Sequence, residues 1–184
     1  VITGPAMLSG LRVTRRAYVP ETVGEGWACF LEYIENPTPA TITATVRITG
    51  NVGADGDTTF TATSDGDTEF TTADRWVCID DANDGGGDPS LSFNYWGPGA
   101  PVTPSAVFQE ASQQDYYVDF PLTSPAGTTV VLMHFCSQNA TNAEAAATAA
   151  YLDTLPEAAL APLYAANYGP LLNWRIAAEL EVSP

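Results

Sequence analysis

At 184 residues with 45% hydrophobic side chains, the chain is long enough to bury a real core and too apolar to be disordered. It carries 22 acids against 6 bases, all of them arginine (Arg12, Arg15, Arg16, Arg47, Arg75 and Arg175), for a formal net charge of −16. That balance repels phosphate backbones and anionic lipid surfaces. It argues against nucleic acid and membrane as partners and favours cations and salt-rich surroundings.

Residues 1–10 form an apolar arm broken by Gly4-Pro5, with Val1, Ile2, Met7 and Leu8 as its sticky side chains. Residues 11–19 alternate in the two-residue period of a half-buried strand and stop at Pro20. Residues 27–34 are apolar on both faces apart from Glu32, as a central strand is. Residues 41–49 are the cleanest strand, with Ile42, Ala44, Val46 and Ile48 on one face and Thr41, Thr43, Thr45 and Arg47 on the other. A near-repeat follows, DGDTTFTATS then DGDTEFTTAD, in which alternating β-formers flank Ser64-Asp65-Gly66-Asp67. Turn chemistry between two alternating runs predicts a hairpin. Further strands are expected over 75–80, 90–96, 107–110, 115–122 and 128–136. An alanine-rich helix capped by Thr141 or Asn142 comes next, then a short second helix opened by Pro156 and ending near Leu163. A last strand is expected over 174–182.

About ten short strands with regular turns predict a mainly β fold, a two-sheet antiparallel β-sandwich with two short helices near the C-terminus. The expected organisation is an arm over 1–10 and a single sandwich domain over 11–184, with a helical insertion over about 142–163. No run approaches the length of a membrane span. The chain opens on Val and shows no signal peptide, as a processed, exported chain or a piece of a longer one would.

One stretch looks like a metal site. Asp80, Asp81, Asn83, Asp84 and Asp88 are five oxygen-bearing side chains on a glycine-rich loop, which suits a hard cation such as calcium. Asp81, Asn83 and Gly86 fit the first, third and sixth places of an EF-hand loop, but Gly85 and Ser92 occupy the fifth and twelfth. A solvated acidic turn is the alternative, and turn propensity alone accounts for the two DGD motifs. Cys29, Cys78 and Cys136 each sit in a predicted strand, too far apart for a zinc site. One disulfide with a free thiol, or three buried thiols, both fit; the pairing is not readable.

Several segments resemble an uncharacterised domain found in large secreted and cell-surface bacterial proteins. They are RRAYVPET, GNVGADGDTTFTATSDGDTEFTTADRW, DDANDGGGDPSL, TVVLMHF and LPEAALAPL, spread from Leu11 to about Asn173. The resemblance implies a secreted or surface setting and brings no activity with it. The cysteines and both end segments depart from its pattern.

Catalytic sets are hard to assemble from these residues. His134, the sole histidine, lies mid-strand between Met133 and Phe135, where a structural imidazole is the expected role. No nucleophile elbow or phosphate-cradling loop is present, and the acids cluster at turns. Tyr95 and Trp96 precede a Gly-Pro loop and are candidates for holding a glycan or peptide, against the commoner fate of strand aromatics as core. Asn139-Ala140-Thr141 matches an N-glycosylation acceptor.

Two expectations follow for function. The first is an extracellular structural protein that self-assembles into a filament or layer, its end segments adding to the sheet edges of neighbouring copies. The second is a calcium-stabilised adhesion module that presents Tyr95 and Trp96 to a glycan or peptide.

Overall fold

The computed structural model describes residues 2–3, 8–21, 26–52, 58–109, 115–164 and 169–176. Ten strands and two helices follow one another: β1 (Ile2–Thr3), β2 (Arg12–Tyr18), β3 (Trp27–Glu35), β4 (Ile42–Asn51), β5 (Thr59–Thr63), β6 (Trp76–Asp80), β7 (Ser90–Asn94), β8 (Ala106–Gln109), β9 (Asp115–Ser124), β10 (Thr129–Asn139), α1 (Asn142–Asp153) and α2 (Glu157–Tyr164). They build two antiparallel sheets, a larger one in the order β1-β2-β3-β10-β7-β6-β5 and a smaller one in the order β4-β9-β8. The mainly β, two-sheet architecture with late helices is therefore as expected from the sequence.

The expected sandwich gains a third layer. One face of the larger sheet meets the smaller sheet through Leu11, Ile34, Val77, Ile79, Val130 and Leu132 on one side and Ile48, Val118, Phe120 and Leu122 on the other. Its opposite face is covered by the helices, with Trp27, Cys29, Leu31, Val131, Met133 and Phe135 packed against Leu152, Ala159, Leu160, Leu163 and Trp174. The run TVVLMHFC is mostly apolar because β10 is buried on both faces, Val131, Met133 and Phe135 serving one core and Val130 and Leu132 the other.

Residues 170–173 complete the larger sheet. β7 pairs with β10 only from Phe135 onward. Beyond that point Val131 donates its N–H to the Pro170 carbonyl and Leu172 donates to the Val131 carbonyl, both at 2.9 Å. The Asn173 side chain then acts as a stand-in for a strand peptide. Its Oδ1 accepts the Met133 N–H at 2.9 Å, and its Nδ2 donates to the carbonyls of Met133 at 2.6 Å and Tyr95 at 2.7 Å. The Trp174 indole lies where a Cβ on Gly97 would stand, so that glycine is required by close packing.

Two expected elements differ. The second copy of the repeat is not a strand: β5 pairs with β6, Thr59 opposite Asp80 and Thr63 opposite Val77. Local side-chain bonds hold residues 67–74 out of the ladder. Asp67 accepts the Glu69 N–H at 2.7 Å, and Asp74 accepts the Thr71 N–H at 2.9 Å. Nor does a strand begin at Trp174, since residues 174–176 are irregular; the rest of that expected strand lies outside the described residues.

Candidate functional site

The acidic loop after β6 is bonded to itself and to its neighbours. Asp80 is buried, accepting the Asp81 N–H at 2.8 Å and the Ser90 hydroxyl at 2.5 Å. Asp81 accepts the N–H groups of Asn83 at 2.7 Å and Asp88 at 3.0 Å, while Asp84 accepts the Asn142 N–H at 2.8 Å. Among the described residues no three His, Cys, Asp or Glu side chains are placed to share a metal ion. The turn at Asp65 and Asp67 serves Thr63, whose hydroxyl donates to their carboxylates at 2.9 and 3.0 Å. Asp55 and Asp57 lie outside the described residues.

Of the aromatic pair expected to meet a ligand, Tyr95 is out of a ligand's reach. Tyr95 is 1% exposed and packs among Phe70, Phe93 and Tyr116. Trp96 is half-buried, its indole N–H donating to the Asp74 carbonyl at 2.9 Å. Alternation places Tyr95 correctly on one side of its segment, but that side faces the space between the sheets. Asn139 is also committed: its amide donates to the Ser137 hydroxyl at 2.7 Å and accepts from Thr148 at 2.8 Å. Tyr117, which with Tyr116 near Gln113-Gln114 is a further sequence candidate for holding a sugar or peptide, belongs to an aromatic cluster on the outer face of the smaller sheet. There Phe108 stacks on Tyr117 with centroids 5.2 Å apart, and the Arg47 guanidinium sits 3.7 Å from the Tyr117 ring centre.

Cys29, Cys78 and Cys136 are all free thiols in the structure, so no disulfide joins them. Cys29 belongs to the core beneath α2 and Cys78 to the small cluster with Ala145 and Ala149 of α1. Burial pushes each thiol up, Cys78 to about 12. They are protonated at neutral pH and poor nucleophiles.

A buried charged cluster sits at the open side of the sandwich. Glu32 Oε1 accepts Arg15 Nε at 2.6 Å and His134 Nε2 at 3.1 Å, and the imidazole stacks on Phe30. Burial holds His134 below its ordinary value, so the ring is neutral with its proton on Nε2. Burial also pushes Glu32 up, but the His134 and Arg15 hydrogen bonds and the Arg15 charge outweigh it and leave the carboxyl below the ordinary range. His134 is thus engaged and inaccessible, as a structural imidazole is.

Beside this cluster lies a cleft of about 310 Å³ between the edges of the two sheets. Leu11, Val13 and Arg15 form one wall; Ala44, Val46 and Ile48 of β4 form the other; Leu8, 65% exposed, stands at the rim. The arm reaches the same side, where Ile2 lies opposite Arg15 and Thr3 opposite Thr14, adding β1 to the β2 edge. Val1 and Met7 lie outside the described residues. On the facing sheet, β4 is an edge strand of ten residues hydrogen-bonded to β9 alone among the described residues. The sequence marked β4 as a strand without marking it as an edge. Residues 41–50 carry none of the 22 acids, a feature they share with residues 1–20.

No family model aligns with the chain, and no curated protein is significantly similar to it.

Proposed function

We propose that the protein is an extracellular structural subunit that assembles with copies of itself into a surface filament or layer, through strand contacts made by its arm and sheet edges. The observation that carries this reading is β1. Two residues of the arm add an antiparallel strand to the β2 edge, which is the chemistry that assembly by strand addition uses. The same addition made to a neighbour's β2 exchanges arms between copies at little cost, because the bonds are identical in both settings. The absence of lysine and the net charge of −16 fit a molecule working in a cation-rich exterior. The secreted or surface setting rests on the resemblance described above.

Deletion of residues 1–7 tests the reading. The full chain is expected to form polymers visible by negative-stain microscopy and to sediment with concentration-dependent mass, and the deletion is expected to shorten or abolish them. Polymers unchanged by the deletion remove the arm from the mechanism. A full chain that stays monomeric at every concentration removes assembly altogether.

A further inference from the structure

We propose that the β4 edge is a second assembly site, at which β4 of one copy pairs antiparallel with β4 of another about a two-fold axis to make one continuous six-stranded sheet, β8-β9-β4 followed by its mirror order. This rests on the self-assembly reading and names the surface and the partner.

Among the described edges, β4 is the one that is long, free of a register shift and not covered by another strand. β8 is four residues long, β5 carries a register shift between Phe60 and Ala62, and β2 is covered in part by β1. Short length, bulges and covering strands are the usual guards of a sheet edge. β4 runs for ten residues with no proline and no register shift against β9.

Charge selects the occupant. A chain of net −16 repels its own copies over most of its surface, so a self-contact must lie where acids are missing or neutralised. Along β4 the outward side chains are Thr43, Thr45, Arg47 and Thr49. Arg47 is turned onto its own sheet by a bidentate pair with Asp119 at 2.7 Å, which cancels both charges. In the cleft below, Glu32 is likewise balanced by Arg15. The edge is therefore neutral and rich in threonine, and a threonine ladder across the sheet has already begun with Thr43 and Thr123, whose hydroxyls lie 3.4 Å apart. Such cross-strand threonine pairs favour sheet formation. A register centred on Thr45 sets Thr45 against the second copy's Thr45 and Arg47 against its Thr43, so no like charges oppose. The inner side chains Ala44 and Val46 then meet their counterparts over the cleft, where Leu8 and Val13 offer apolar cover.

A two-fold contact at β4 closes into a dimer when it acts alone. Combined with an arm exchange at β2, which is a different surface, it propagates without closing.

The experiment uses the full chain and two exposed-face variants, Thr45→Glu and Thr45→Arg, each checked for an unchanged monomer melting curve. Sedimentation measures association, and hydrogen exchange measures protection at residues 42–48. The wild type is expected to show slower exchange at β4 in the associated state than in the dilute monomer. Either variant alone, placing like charges face to face, is expected to associate about tenfold more weakly. An equimolar mixture of the two is expected to restore association, which altered monomer stability does not explain. Association that ignores both variants, with β4 exchanging as in the monomer, overturns the β4 site and leaves arm-based assembly standing. A chain monomeric under all conditions overturns both.

Discussion

His134 and Glu32 give acid sensitivity a definite sign. Both are held below their ordinary values, 6.5 for the imidazole and 4.5 for the carboxyl, so the unfolded chain takes up each proton before the folded one does. The stability they contribute is complete above about pH 6.5. The histidine share is lost first as the pH falls below that value, and the glutamate share follows below about 4.5. Urea unfolding midpoints measured from pH 7.5 down to 5.5 are expected to fall in the wild type and to fall less in His134→Gln, whose amide keeps a donor for Glu32 and does not titrate. Equal slopes in the two proteins refute a titrating role for the imidazole. At this scale the sequence was readable in kind and not in partners. A histidine mid-strand beside apolar residues reads as structural, but nothing local pairs His134 with Glu32, 102 positions away in the chain. Tyr95 fails for a related reason: alternation assigns a side chain to a face and leaves open which face is covered.

The elements that could be read were those whose side chains have no local alternative. Residues 42–48 have only β-branched and apolar side chains around Ala44 and Arg47, and β10 is apolar from Val130 to Met133, so ladder pairing faces little competition. The second half of the repeat alternates equally well, yet Asp67 and Asp74 bind nearby N–H groups and take them from any partner strand. Helix α1 was legible at its start because its cap is chemical. Thr141 accepts the Glu144 N–H at 3.3 Å, and Glu144 returns a bond to the Ala140 N–H at 3.0 Å. Its far end is tied to the sheet by Arg75, bidentate on Asp153. Thr141→Ala is expected to cost about 1 kcal/mol in equilibrium unfolding while leaving the sheets in place. A shift near zero means that Glu144 and Asp84 hold this terminus without the threonine.

For the whole molecule, charge is the controlling quantity. Sixteen excess negative charges act between copies over a distance set by ionic strength, about 8 Å at physiological salt and roughly 3 Å at 1 M. Strand addition works at hydrogen-bond range, so raising salt weakens the repulsion and leaves the attraction. Assembly is therefore expected to strengthen with added sodium chloride, measured as a falling critical concentration for polymer in sedimentation. The opposite trend indicates contacts made by ion pairs between copies and argues against joined sheet edges.

The stand-in role of Asn173 also bears on when the fold can finish. Met133 lies in the middle of the larger sheet, yet the group that satisfies its backbone beside β10 belongs to a residue forty positions later. During synthesis from the amino end, the strands through β10 have all emerged while that seam still lacks its closing piece. A nascent chain in which Asn173 and Trp174 have not yet emerged leaves the seam bare, with Met133 lacking this partner and Gly97 facing no indole. Closure of that seam therefore waits on residues 170–174, the stretch that also brings the indole against Gly97.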